Sequence, residues 1–258
     1  MIAAFVLALL PLAPRQDVSP ADLLRQALAA SKENARKSAN WLGREDIKRY
    51  QLRRKRRLIS WVTYEASKVE GENYYRLIAR DGKPLSKAEH AREQAKLDRE
   101  AAYRRTTPLR QRTRTADNRF SMSIAQILEH HDLQYSGEDT VNGRKIWIVD
   151  TRVRDAAPMP AKRDDMALAG NTTLWIDQQT KLVVMQELRV TRNWDQWRPG
   201  SLVRYELFWN GEVMLVSRIL IHLPFAGLEN VQTYSEYRKF GAESNVTFES
   251  DTSPPPEE

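Results

Sequence analysis

The 258 residues contain no cysteine. That excludes a disulfide framework, a thiolate metal site, a cysteine nucleophile and the acylated N-terminal cysteine of a lipoprotein. Histidine is scarce: His90, His130, His131 and His222 are the whole set, and none stands in an H-E-x-x-H spacing. The sequence also lacks the G-x-S-x-G elbow, the phosphate-binding loop and the G-x-G-x-x-G fingerprint. Long apolar runs are missing apart from Ile2–Ala13. That run is shorter than the about 20 residues needed to span a bilayer core.

What is present belongs to a sizeable soluble body. Hydrophobic residues make up 41% of the chain and charged residues 29%, and the mean hydropathy is −0.63. The net charge is +7, so acidic partners are expected: phospholipid head groups, anionic glycans or another anionic envelope component. Nucleic acid is not expected, because no recognition helix or base-stacking motif accompanies the charge. The apolar N-terminus fits the hydrophobic region of a secretory signal peptide. Residues 1–16 are therefore read as a leader and the protein as exported.

The body, 17–240, reads mainly as strands. Asn142-Gly143 and Asn210-Gly211 are two-residue hairpin signals between alternating runs. Between them, TTLWIDQQTKLVVMQELRV places the tetrad Asp177–Thr180 between two β-branched runs, a third hairpin. Earlier, WLGREDIKRYQL, RRLISWVTYEASKV and ENYYRLIAR predict three strands. Three helices are expected. One starts at Ser19-Pro20, one follows the capping box Ser86–Glu89, and a short one opens at Ser123 with Ile124, Ile127, Leu128 and His131 on one face. The second helix is polar enough to be solvated along most of its length. Asp155–Asn171 reads as a loop with one short helix, able to act as a flap. Thr106–Asn118 is a basic connection without periodicity, and 241–258 has the composition of a disordered tail.

The alternation predicts apolar residues on both sides of several strands. In Val213–Leu223, Val213, Leu215, Ile219 and Ile221 oppose Met214, Val216 and Leu220. In the third hairpin, Leu182, Val184, Leu188 and Val190 oppose Val183 and Met185. A sheet with two apolar faces is covered twice or lines an apolar cavity. The candidate cavity residues are Trp61, Trp147, Trp175, Tyr205, Trp209 and Ile219. A separate candidate is the basic run Arg53, Arg54, Lys55, Arg56 and Arg57, either an anion-binding patch or a solvated hairpin tip that discourages sheet-edge pairing. No metal site, cofactor or catalytic set is expected. The one enzymatic alternative is a hydrolase using His130 or His131 with Asp132 in a polar cleft.

The segment LWID-x-x-T-x-L-V and the closing YSEYRKF resemble the outer-membrane lipoprotein carriers of the LolA and LolB type and the N-terminal domain of the sigma-factor regulator RseB. The resemblance implies a mainly β fold with α: one curved antiparallel sheet of about ten strands, an incomplete β-barrel, with about three helices plugging its concave side. It implies a periplasmic, non-enzymatic protein that takes lipid or lipoprotein acyl chains into an apolar cavity; a monomer is expected. The alternative is an envelope interaction or sensor module with a packed core, docking by its basic surface on an anionic partner.

Overall fold

The computed structural model describes residues 19–108, 123–161 and 166–240. The expected leader, most of the basic connection and the tail lie outside them. Helix α1 is Pro20–Ser38, and the Ser19 hydroxyl accepts from the Asp22 amide at its N-terminus. Strands β1 (Trp41–Gln51), β2 (Arg57–Val69), β3 (Glu72–Arg80) and β4 (Lys83–Pro84) follow. Helix α2 (Lys87–Thr106) starts with the expected capping box, and α3 is Ile124–His130. Then come β5 (His131–Val141), β6 (Arg144–Val153), a 3₁₀ turn at Met166–Ala169, β7 (Gly170–Asp177), β8 (Val183–Val190), β9 (Leu202–Trp209), β10 (Met214–Leu223) and β11 (Leu228–Lys239).

All eleven strands form one antiparallel sheet in the order β4-β3-β2-β1-β11-β10-β9-β8-β7-β6-β5. Two meanders meet where β1 pairs with β11, and the edge strands β4 and β5 do not pair with each other. This is a mainly β fold with α, an incomplete barrel.

Cross-strand partners share a face, so the register sorts the sheet into rows. One row runs Val149, Leu174, Gln186, Tyr205, Ile219, Gln232, Ile47 and Val62. The row beside it, on the opposite face, runs Asp150, Thr173, Glu187, Arg204, Leu220, Val231, Lys48 and Trp61. The first face carries α1 and α3 and is called inner. Leu23, Leu24 and Ala27 of α1 and Ile124 and Ile127 of α3 close a cluster over Val149, Leu174, Ile176 and Val183. A second cluster joins Met166 and Ala169 of the 3₁₀ turn and Trp197 to Leu188, Val190, Val203, Ile219 and Ile221. The 3₁₀ turn is buried throughout, so this end of the expected flap is core.

β-Bulges correct the expected alternation. Ile176 faces Val183 but Trp175 faces Met185, so Val184 is the extra residue in β8. Val183 therefore points inward with Leu188 and Val190. In β10 the extra residue is Ser217, because Val216 faces Leu207 and Arg218 faces Glu206. Met214 and Val216 thus join Ile219 and Ile221 on the inner face, and Leu215 leaves it. One inserted residue reverses every later side chain relative to the earlier ones. Much of the two-faced apolarity in the alternation disappears on this account. The outer face is instead laced by polar pairs: Asp150 accepts from Ser136 and Thr173, each at 2.5 Å, and Glu187 is held by Arg204 and Arg189, each at 2.7 Å.

Helix α2 departs from the expected arrangement. It packs on β2 and β3 from the outer face, where Tyr74 and Arg76 point. Arg76 Nη2 meets His90 Nε2 at 3.0 Å, and Arg104 donates to the carbonyls of Val69 and Glu72 at 3.0 and 3.1 Å. Glu93, Leu97 and Arg104 are buried. The helix has little apolar surface because its seat is largely polar.

The β7–β8 turn is organised by Asp177. Its carboxylate takes Arg144 in a fork of 2.7 and 3.0 Å and accepts from the amides of Gln179 and Thr180 and the Thr180 hydroxyl. Burial alone would raise its pKa; the bonds from Arg144 and Thr180 outweigh this and hold it at about 2. Replacing one partner of a buried pair leaves the other uncompensated. Asp177→Ala is expected to cost about 3 kcal/mol in urea unfolding, and Asp177→Asn, which keeps the turn acceptor, about half that. In the wild type this contribution is complete above the ordinary aspartate pKa and is lost as pH falls towards 2. The Asn variant lacks that pH component.

Candidate functional site

The six aromatic and aliphatic candidates do not converge. Trp147, Tyr205, Trp209 and Ile219 lie on the inner face, and Trp61 and Trp175 on the outer. Trp61 donates from Nε1 to Asp46 at 3.0 Å and lies under the Lys48 ammonium at 4.2 Å. Its ring packs on the Gly82 turn so closely that a Cβ there would meet it at 2.6 Å. Trp175 packs with Ile146, Leu182, Val184 and Met214 around the β7–β8 turn. Trp147 is half-buried against the first cluster, with Lys181 Nζ 4.1 Å from its ring. Trp209 is exposed at the β9–β10 hairpin end, in register with Met214.

Tyr205 and Ile219 are register partners at the border of the second cluster. The same row continues through Gln232 to Ile47 and Val62. Beside it stand Tyr234, Glu45, Tyr64 and Leu77, again partners across the ladder. This arm of the inner face, from β11 to β3, is unlike the arm under α1 and α3. Ile47, Val62, Tyr64, Tyr75 and Tyr234 are each half-buried rather than sealed. Polar groups punctuate it: the Tyr234 hydroxyl donates to Glu45 Oε1 at 2.5 Å. The result is an apolar, tyrosine-lined strip with fixed carboxylate and amide positions. Sequence reasoning placed Ile47 on no apolar face, because DIKRY shows no alternation; the signal lay in Val62-x-Tyr64-x-Ala66.

The basic run lies at the turn between β1 and β2, and Arg53 through Arg57 are exposed. Arg56 pairs with Glu229 at 2.8 Å and stacks 3.3 Å from the Tyr50 ring.

The structure places His131 and Asp132 apart. α3 ends at His130, and His131 opens β5, not the helix face the periodicity predicts. His131 is buried, with Nδ1 2.9 Å from Thr151 Oγ1 and Nε2 3.1 Å from the Ala167 carbonyl. A carbonyl only accepts, so Nε2 carries the proton and Nδ1 accepts from Thr151. Both nitrogens are engaged in fastening the 3₁₀ turn to the sheet. Asp132 is exposed on the opposite face of β5 and contacts Arg154 at 3.9 Å. Among the described residues no group of three or more acidic or histidine side chains is placed to hold a metal ion, and no helix is long and apolar enough to cross a membrane.

Burial pushes the His131 imidazole down to about 4, only partly offset by its bond to Ala167. The unfolded chain takes up this proton near pH 6.5, so the unfolded state binds more protons between those values. Stability is therefore complete above about 6.5 and falls by about 3 kcal/mol as pH drops to 4. His131→Asn is expected to remove this pH component from urea unfolding free energies measured across that window.

No protein-family model and no curated protein sequence matches the chain. Its course is similar to that of several solved structures. One is described as an outer membrane lipoprotein-sorting protein domain from Vibrio parahaemolyticus, at 8% identity and a TM-score of 0.41, covering 86% of this chain and 95% of that one. A LolA superfamily protein from Nitrosomonas europaea gives 11% identity and a TM-score of 0.36, with 87% and 94% covered. A DUF1329 family protein from Desulfovibrio piger gives 11% identity and a TM-score of 0.42, with 90% and 98% covered.

Proposed function

We propose that this is an exported, non-catalytic binding protein of the cell envelope. It holds an acyl chain, of a lipid or of a lipidated protein, on the β11–β1–β2–β3 arm of the inner face. One observation carries the reading: Ile47, Val62, Tyr64, Tyr75 and Tyr234 are only half-buried on the same face that α1 and α3 seal over Val149, Leu174, Ile176 and Val183. Strands lie about 4.8 Å apart, so four adjacent strands offer a strip about as wide as a mid-length acyl chain is long. Each methylene removed from water contributes about 0.8 kcal/mol. Glu45 with Tyr234, and Gln232, then mark where a polar head group would be met. The apolar leader and the cysteine-free composition support export. His131 and Asp177, the groups with markedly lowered pKa, are both consumed by structural bonds, which supports the absence of chemistry.

Native mass spectrometry of protein purified from a membrane-bearing host is expected to show bound lipid. Titration with a fluorescent fatty acid is expected to saturate at one site. Val62→Lys, which puts a charge into the strip, is expected to weaken that binding about tenfold or more, equivalent to about 1.4 kcal/mol, with little change in melting temperature. Protein that carries no lipid and fails to bind the probe overturns the reading.

A further inference from the structure

Three turns crowd one end of the sheet. The β1–β2 turn and the β10–β11 turn are tied together, because the Leu52 amide donates to the Gly227 carbonyl at 2.7 Å. The β8–β9 connection reaches the same place: a Cβ on Gly200 would lie 3.8 Å from Pro224. This end projects large apolar side chains into water. Leu58 and Ile59 are each 43% exposed and Phe225 is 53% exposed. Ile59 is the extra residue of a bulge, since Arg49 faces Ser60 while Tyr50 faces Leu58. The break in alternation leaves both aliphatic residues outside the core.

The same end carries Arg53, Arg54, Lys55, Arg56, Arg57 and Arg198. Arg56 is committed to Glu229 and Tyr50, and Arg57 reaches Gln51 at 3.4 Å. Arg198 lies 5.9 Å from the Phe225 ring. Arg53, Arg54 and Lys55 have no acidic partner among the described residues. Three exposed apolar side chains thus stand at the same end as cations that no described acid pairs with. A bilayer surface suits both, because it accepts apolar side chains below the head groups while Lys and Arg stay at phosphate level.

We propose that this end of the sheet docks on the surface of an anionic lipid bilayer. Leu58, Ile59 and Phe225 enter the interface, and Arg53, Arg54 and Lys55 pair with lipid phosphates. The site is separate from the tyrosine-lined strip, and its test does not depend on the acyl reading.

The test is co-sedimentation of the full chain with vesicles of phosphatidylcholine alone or mixed with phosphatidylglycerol. Binding is expected only to the anionic vesicles and is expected to weaken with salt. Each basic residue near an anionic surface is worth about fivefold in partitioning, so R53S/R54S/K55S is expected to bind about 100-fold more weakly. Ile59→Ser with Phe225→Ser is expected to reduce vesicle binding while leaving retention on heparin, a soluble polyanion, unchanged. Because the chain has no cysteine, Ile59→Cys can carry a single environment-sensitive dye. The dye is expected to shift to the blue on anionic vesicles, and the same dye at Asn142→Cys, at the opposite end of the sheet, is expected not to shift. Equal binding to both vesicle types overturns the proposal. So does binding to heparin without binding to vesicles, which would mark a soluble acidic partner, or a dye at position 59 that stays in water.

Discussion

The ladder between β1 and β11 holds the two halves of this molecule in one sheet. It runs from Trp41 opposite Lys239 to Gln51 opposite Leu228, close to the full length of both strands. Removing it would leave two meanders, β1 to β4 and β5 to β11, joined only by scattered contacts among the described residues, such as Leu52 to Gly227 and Arg56 to Glu229. The partners are nearly two hundred residues apart in sequence, so this pairing must overcome a large loop-closure entropy. It forms late by that argument, after the local hairpins have made their own turns. The ladder also sets the inner face. It carries the row of Tyr205 and Ile219 across Gln232 to Ile47 and Val62, and so joins the packed arm to the open one.

Bulges decide what each arm presents. Val184 and Ser217 are single insertions, yet each reverses the sense of a whole strand segment. Together they gather Val183, Met214 and Val216 onto the side where α1 lies. Beyond the cluster of Ile146, Leu182, Val184 and Trp175 at the β7–β8 turn, the outer face carries cross-strand acids and bases such as Glu187 with Arg204. A polar helix can then sit on that face through Arg76, His90 and Arg104 without an apolar stripe.

Much of this was legible in the residues. Asn-Gly pairs located two hairpins, the Ser19-Pro20 and Ser86–Glu89 signals located two helix starts, and the β-branched runs marked the strands. Faces were less legible. Alternation assumes a regular pleat, and nothing in VVMQELRV or VMLVSRILI announces an extra residue. The same assumption put His131 on a helix, where its burial and its bonds to Thr151 and Ala167 depend on partners far along the chain. The tryptophans drew attention by size, but Trp61 and Trp175 belong to the face opposite Tyr205. The half-buried strip was missed because its members come from four strands and only Val62-x-Tyr64-x-Ala66 shows a local alternation. The basic run was read as charge alone; Phe225, a neighbour only through the Leu52–Gly227 contact, completes it.

An unclosed barrel leaves two strands with a free side, and such strands tend to recruit others of their kind. Here both are built to refuse. β4 is only Lys83 and Pro84, and a proline offers no amide to a newcomer. β5 is long, but a bulge at Ser136 interrupts it, and Glu138 and Asp139 place negative charge just beyond. A second copy approaching that edge would meet a broken ladder and like charges. The opening in the sheet is therefore flanked by end strands whose own features discourage a further strand from pairing there.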